Sequence, residues 1–178
     1  MKMAVVRAVS LLFILCLGAC SSVHTASPVA LDRSARWVLL PSVNDTETPA
    51  AGARMDAVLN SLIRIHGISD LTVAPMVDGS SADLPVVPDF KAQQAALEWA
   101  RKEGARYAFA GTVDEWRYKV GLDGEPAVSL TLSVIDVGTG KILWSGTAAK
   151  TGWSRQAVSA VAQDLIDQLL GAALASSH

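Results

Sequence analysis

Thiols are nearly missing from this sequence: among its 178 residues only Cys16 and Cys20 are cysteines. Both lie near the start, so the body of the chain can form no internal disulfide and no thiolate metal site. Its stability must come from a packed core. Histidine is scarce too. His24, His66 and His178 stand far apart without metal-ligand spacing. There is no Gly-x-Ser-x-Gly elbow. Gly138-Thr139-Gly140-Lys141 looks like the tail of a phosphate loop, but the upstream Gly is missing and Ile142 stands where a Ser or Thr is needed. These absences point to a non-enzymatic protein with no metal and no cofactor. Net charge is small as well, with 15 Lys and Arg against 17 Asp and Glu. That balance argues against nucleic acid as a partner.

What is present begins with the N-terminus. Lys2 and Arg7 precede an apolar run from Ala8 to Leu17 that only Ser10 interrupts. The run is too short for a transmembrane helix, which needs about 20 apolar residues. A basic flank, a short apolar stretch and small residues make a secretory signal peptide. It ends Leu17-Gly18-Ala19-Cys20, an aliphatic residue, two small ones and Cys, which is the bacterial lipobox. The expectation is cleavage of residues 1–19 and acylation of Cys20. Ser21 at the next position, rather than Asp, favours the outer membrane and its periplasmic face. One acyl chain binds only marginally at about 0.8 kcal/mol per methylene, so several chains on one Cys give durable anchoring. Cleavage leaves 159 of the 178 residues and removes two basic groups and no acid, so the mature balance is −4.

Residues 20–35 read as a lipidated flexible tether, and residues 36–178 as a single α/β domain. Trp37–Pro41 is a buried strand, and Ser42–Gly52 a polar loop. Met55, Val58, Leu59, Leu62 and Ile65 make one helical face ended by Gly67. Leu71–Ala74 is a second strand, followed by a surface loop over 76–88. Asp89 caps a helix with Phe90, Leu97 and Ala100 on its inner face, ending at Gly104. Arg106–Val120 is a long strand, turned by Gly121–Pro126. Val128, Leu130, Leu132 and Val134 alternate with hydroxyls in the next strand. Asp136–Lys141 is a tight hairpin turn, Ile142–Thr151 is the last strand, and Ser154 caps a final helix. The order β-α-β-α-β-β-β-α predicts a mixed five-strand sheet, strand order 2-1-3-4-5, covered by helices.

This order, the hairpin Asp136–Ser145, and the stretches Ala35–Pro41, Gly111–Val120 and Gly140–Ser154 resemble a group of envelope lipoproteins. The group includes the TolB N-terminal domain, the curli secretion lipoprotein and the penicillin-binding-protein activator. The chain is most similar to the outer-membrane lipoproteins of Pel exopolysaccharide export. The resemblance implies a homo-oligomeric ring of about a dozen subunits. The ring would guide a cationic, partly deacetylated amino-sugar polymer toward an outer-membrane export porin. An alternative is a lipoprotein activator of a periplasmic cell-wall synthase, for which a tether of this length is short.

Two sets of site residues follow. Trp153 is either a hydrophobic staple packing on Val158 across Ser154 or an aromatic residue at the membrane interface. The family's aromatic belt implies the second. Asp123, Glu125 and Asp114 are solvated acids or, pooled around a ring, an acidic lumen that attracts a cationic polymer.

Overall fold

The computed structural model describes residues 21–75, 89–121 and 124–175. The signal peptide, Cys20, the loop over 76–88, and Asp123 lie outside the described residues. The elements in chain order are β1 (Ser21–Thr25), β2 (Trp37–Leu39), β3 (Val43–Asn44), α1 (Ala51–Ile65), β4 (Leu71–Val73), α2 (Phe90–Lys102), β5 (Tyr107–Tyr118), β6 (Pro126–Asp136), β7 (Ile142–Thr151) and α3 (Val158–Ala173).

The fold is mixed α/β, as expected. The sheet order is β1-β7-β6-β5-β2-β4, with β3 paired to β5 off this path. β4, β2 and β5 are parallel, as is β3 to β5, and the β5–β6, β6–β7 and β7–β1 pairs are antiparallel. The five expected strands keep the relative order 2-1-3-4-5, but β1 and β3 are additions that change it in detail. β1 is the larger correction. The stretch expected to be a tether starts as an edge strand on β7, with Ser21 opposite Lys150 and Thr25 opposite Gly146. Its far end is held too, because Arg33 donates to the carbonyls of His66 and Leu174 at the ends of α1 and α3.

Alternation along β5, β6 and β7 sorts side chains onto two faces. One face is sealed by α1 and α3. There Leu59, Ile63, Leu165 and Leu169 bury against Leu130, Leu132, Val134 and Trp144. Trp37 stacks on Phe109 with centroids 4.8 Å apart and leans on Tyr107 at 4.7 Å. The α1 face is turned from the expected one. It centres on Met55, Leu59 and Ile63 and leaves Ile65 exposed. Gly67 (φ +91°) ends this helix where a side chain would be strained.

The other face is half covered. α2 lies over β2 and β5, where Ala96 and Ala100 let it sit close on Val38, Leu40, Ala108 and Ala110. Asp89 caps it as expected, accepting from the Ala92 N–H at 2.9 Å. Phe90 is not on its inner face but 69% exposed. Gln93 at one end donates to the carbonyls of Pro41 and Gly111, and Arg101 at the other donates to that of Val137.

Candidate functional site

The uncovered half of that second face is built from small hydroxyl side chains. Ser129, Thr131 and Ser133 of β6 meet Ser145, Thr147 and Ala149 of β7. Ser133 and Ser145 are hydrogen-bonded at 3.0 Å, and Thr131 reaches Thr147 at 3.4 Å. These are the polar positions of the alternation, so their outward placement was legible in the sequence.

Asp114 stands where this face meets β5. A register shift between Val113 and Glu115 bulges the strand there. A bulge sets two residues against one on the partner strand. Thr131 donates to Asp114 at 3.3 Å. Burial raises the Asp114 carboxyl above its usual range, and Asp45 pushes in the same direction. Asp45, Glu47, Asp114 and Glu115 line a groove of about 500 Å³ with Thr48 and Trp116. Arg117 neutralises Glu115 at 2.8 Å. Asp45 and Asp114 carry no ion pair among the described residues. Asp45 and Glu47 were missed from sequence, where they read only as loop polarity. Their position is set by the two-residue strand β3, which pairs Val43 and Asn44 with Thr112 and Val113.

Glu125 does not join this groove. It lies at the β5–β6 hairpin end, its carbonyl accepting from the Lys119 N–H at 2.7 Å. With Tyr118 opposite Pro126, Glu125 is five residues beyond the Asp114 level, roughly 15 Å along the strand at about 3.3 Å per residue. Asp123, in the same hairpin, lies outside the described residues.

Trp153 shares that hairpin end. The Gly152 N–H donates to the Pro126 carbonyl at 2.8 Å, which draws the end of β7 onto the start of β6. The staple geometry is not formed. α3 begins at Val158 with Ala157, not Ser154, at its cap position, and Trp153 is 57% exposed. Gln156 instead accepts from the Trp153 N–H at 3.2 Å, and Arg155 takes φ 71° in the turn. The Val158 N–H donates to the Tyr118 hydroxyl at 3.3 Å. Tyr118 and Val120 are also exposed at this end.

Among the described residues no three His, Cys, Asp or Glu side chains gather as metal ligands would, and no helix is long and apolar enough to cross a membrane.

A solved PelC dodecamer from Paraburkholderia phytofirmans is 38% identical to this chain, spanning 89% of it and 100% of that chain with a TM-score of 0.73. The chain belongs to the PelC family. A dodecameric variant of the same PelC is 39% identical over 84% of this chain and 96% of that one, with a TM-score of 0.69. A lipoprotein from Neisseria meningitidis shares the fold at 20% identity, covering 77% of this chain and 96% of that one, with a TM-score of 0.52. No protein-family model and no curated protein matches.

Proposed function

We propose that this chain is a non-enzymatic outer-membrane lipoprotein, cleaved after residue 19 and acylated at Cys20. Its copies form a periplasmic ring that guides a cationic, Pel-like exopolysaccharide to an export porin. The observation that carries the reading is end-to-end similarity, at 38% identity, to a PelC dodecamer. Two features of the chain support it. Asp114 and Asp45 line one groove and form no ion pair among the described residues, its Arg117 being paired with Glu115, and repetition around a ring pools such charge into a field that concentrates polycations. In sequence, Asp123 and Glu125 of the β5–β6 turn add two further acids to each copy. Trp153, exposed rather than stapled, suits the membrane interface, where indole is favoured.

The activator reading fares worse. A domain that must reach across the periplasm needs slack, and here residues 21–25 are paired and Arg33 is bound. The test combines Asp114→Lys with Asp123→Lys in cells that secrete the polymer. Light scattering of the purified protein should show an unchanged ring mass, while secreted polymer falls severalfold. A monomeric wild-type protein would remove the ring. Unchanged secretion with intact rings would remove the acidic guide.

A further inference from the structure

The first described residue, Ser21, directly follows Cys20 in sequence. β1 is antiparallel to β7, with Ser21 opposite Lys150. Going backward along β1 therefore means going toward Thr151, Gly152 and Trp153. Cys20 is one peptide from Ser21, about 3.8 Å between Cα atoms. Every residue of β1 is exposed, so apolar burial does not hold it. Its ladder does. The Ala26 N–H donates to the Ser145 carbonyl at 2.9 Å, and alternate residues, His24 and Ser22, then point their N–H groups at β7 as well. Gly146 provides the seat. A Cβ there would stand 2.6 Å from the core indole of Trp144 and 3.0 Å from Leu169 and the Thr25 methyl, so the bare backbone opposite Thr25 makes room first for Trp144 and then for β1.

The same end carries Val120, 99% exposed, and Trp153, 57% exposed. Lys119 lies beside them, its amino group on the Thr151 hydroxyl at 2.9 Å, and Arg155 is exposed in the Trp153 turn. Apolar tips flanked by two cations, against Glu125 as the acid of the described turn residues, match an anionic bilayer surface.

We propose that β1 is an anchor strand: its pairing with β7 pins the acyl attachment point to the Trp153 end, so that Val120 and Trp153 dock on the bilayer with Lys119 and Arg155 at its phosphates. This rests on the acylation proposed above. A flexible tether would let the domain tumble, whereas a paired strand fixes which end meets the lipid.

Two insertions test it. A six-residue Gly/Ser spacer between Cys20 and Ser21 adds a reach of roughly 13 Å, more than the about 5–10 Å depth of interfacial burial. The same spacer between Pro28 and Val29 lies behind the paired strand and adds none. Val120→Cys supplies a spin-label site, since Cys20 carries the acyl groups and Cys16 leaves with the signal peptide. In vesicles of three parts phosphatidylethanolamine to one of phosphatidylglycerol, the label's access to lipid-dissolved oxygen should drop severalfold with the first spacer and stay unchanged with the second. His24→Pro, which removes a ladder hydrogen bond, should act like the first spacer. Equal responses to the two spacers would overturn the anchor strand, and so would no response to either. A protein mass lacking the acyl groups would sink the lipoprotein reading itself, and this inference with it.

Discussion

The two ends of the sheet treat their carboxylates in opposite ways. At the β6–β7 hairpin end, Asp136 accepts from the Thr139 N–H and hydroxyl, both at 2.7 Å. Nearby Asp32 accepts from the Ser34 N–H and hydroxyl. These bonds, with Arg106 close by, hold both carboxyls below their usual range. Toward the Trp153 end, burial pushes Asp56 up to about 6 and raises Asp114. At one end Asp32 and Asp136 are each satisfied within their own turn. Toward the other, burial leaves Asp56 and Asp114 poorly compensated. Folding does not require that arrangement, so its cost in stability points to binding.

The largest expected contrast lies between two tryptophans nine residues apart in sequence. Trp144 is fully buried in the sealed face, and Trp144→Ala should destabilise the domain by about 3–5 kcal/mol through the cavity left behind. Trp153→Ala should shift unfolding by no more than about 0.5 kcal/mol, the range of exposed substitutions, yet weaken vesicle association of the acylated protein. Urea unfolding of both variants, set beside vesicle flotation, checks this. A large loss of stability in Trp153→Ala would make the indole structural after all.

Local signals and long-range ones differed in legibility. The Asp136–Lys141 hairpin, the Asp89 cap and the β6 alternation are written within a few residues, and each is found as read. β1 is not written locally. Ser21–Thr25 has no buried residue, and its pairing comes from backbone groups meeting β7 some 125 positions away in the register Ser21–Lys150. The start of α3 was misread for a similar reason, since Tyr118, from another strand, supplies the partner that Ser154 was expected to be. The acidic groove was half legible. Asp114 could be named from its strand, but Asp45 and Glu47 reach it only because β3 pairs with β5.

A second, smaller contrast is pH dependence. Asp56 accepts from the Ser42 N–H at 3.1 and 3.2 Å yet titrates near 6 because burial outweighs those bonds. A carboxyl raised on folding binds its proton more tightly in the native state. Its contribution is therefore fully present below the unfolded value, near 3.9, and is lost as pH rises through about 6. The two-unit difference corresponds to roughly 3 kcal/mol at most. Asp56→Asn keeps an acceptor for Ser42 and removes the charge. Its unfolding free energy, measured from pH 4 to 7, should fall less than that of the wild type. Parallel curves would mean that Asp56 is solvated enough to titrate normally.

The smallest effect belongs to the self-satisfied end, and its sign is opposite. Asp136 is held ionised by the Thr139 bonds first, with Arg106 and Lys141 adding to them. A depressed carboxyl supports folding above its unfolded value and loses that support as pH falls through the native one. Asp136→Asn retains the turn's acceptor and loses only the charge, so it should match the wild type under strongly acid conditions and melt slightly lower at pH 7. Because the side chain stands half-exposed in an open turn, solvent screens most of the interaction. The informative quantity is the direction of the difference between the two melting curves as acid is added. If Asp136→Asn and Asp56→Asn diverged from the wild type in the same direction over their windows, the opposition between the two ends would be wrong, and the raised acids could no longer be read as kept for a ligand.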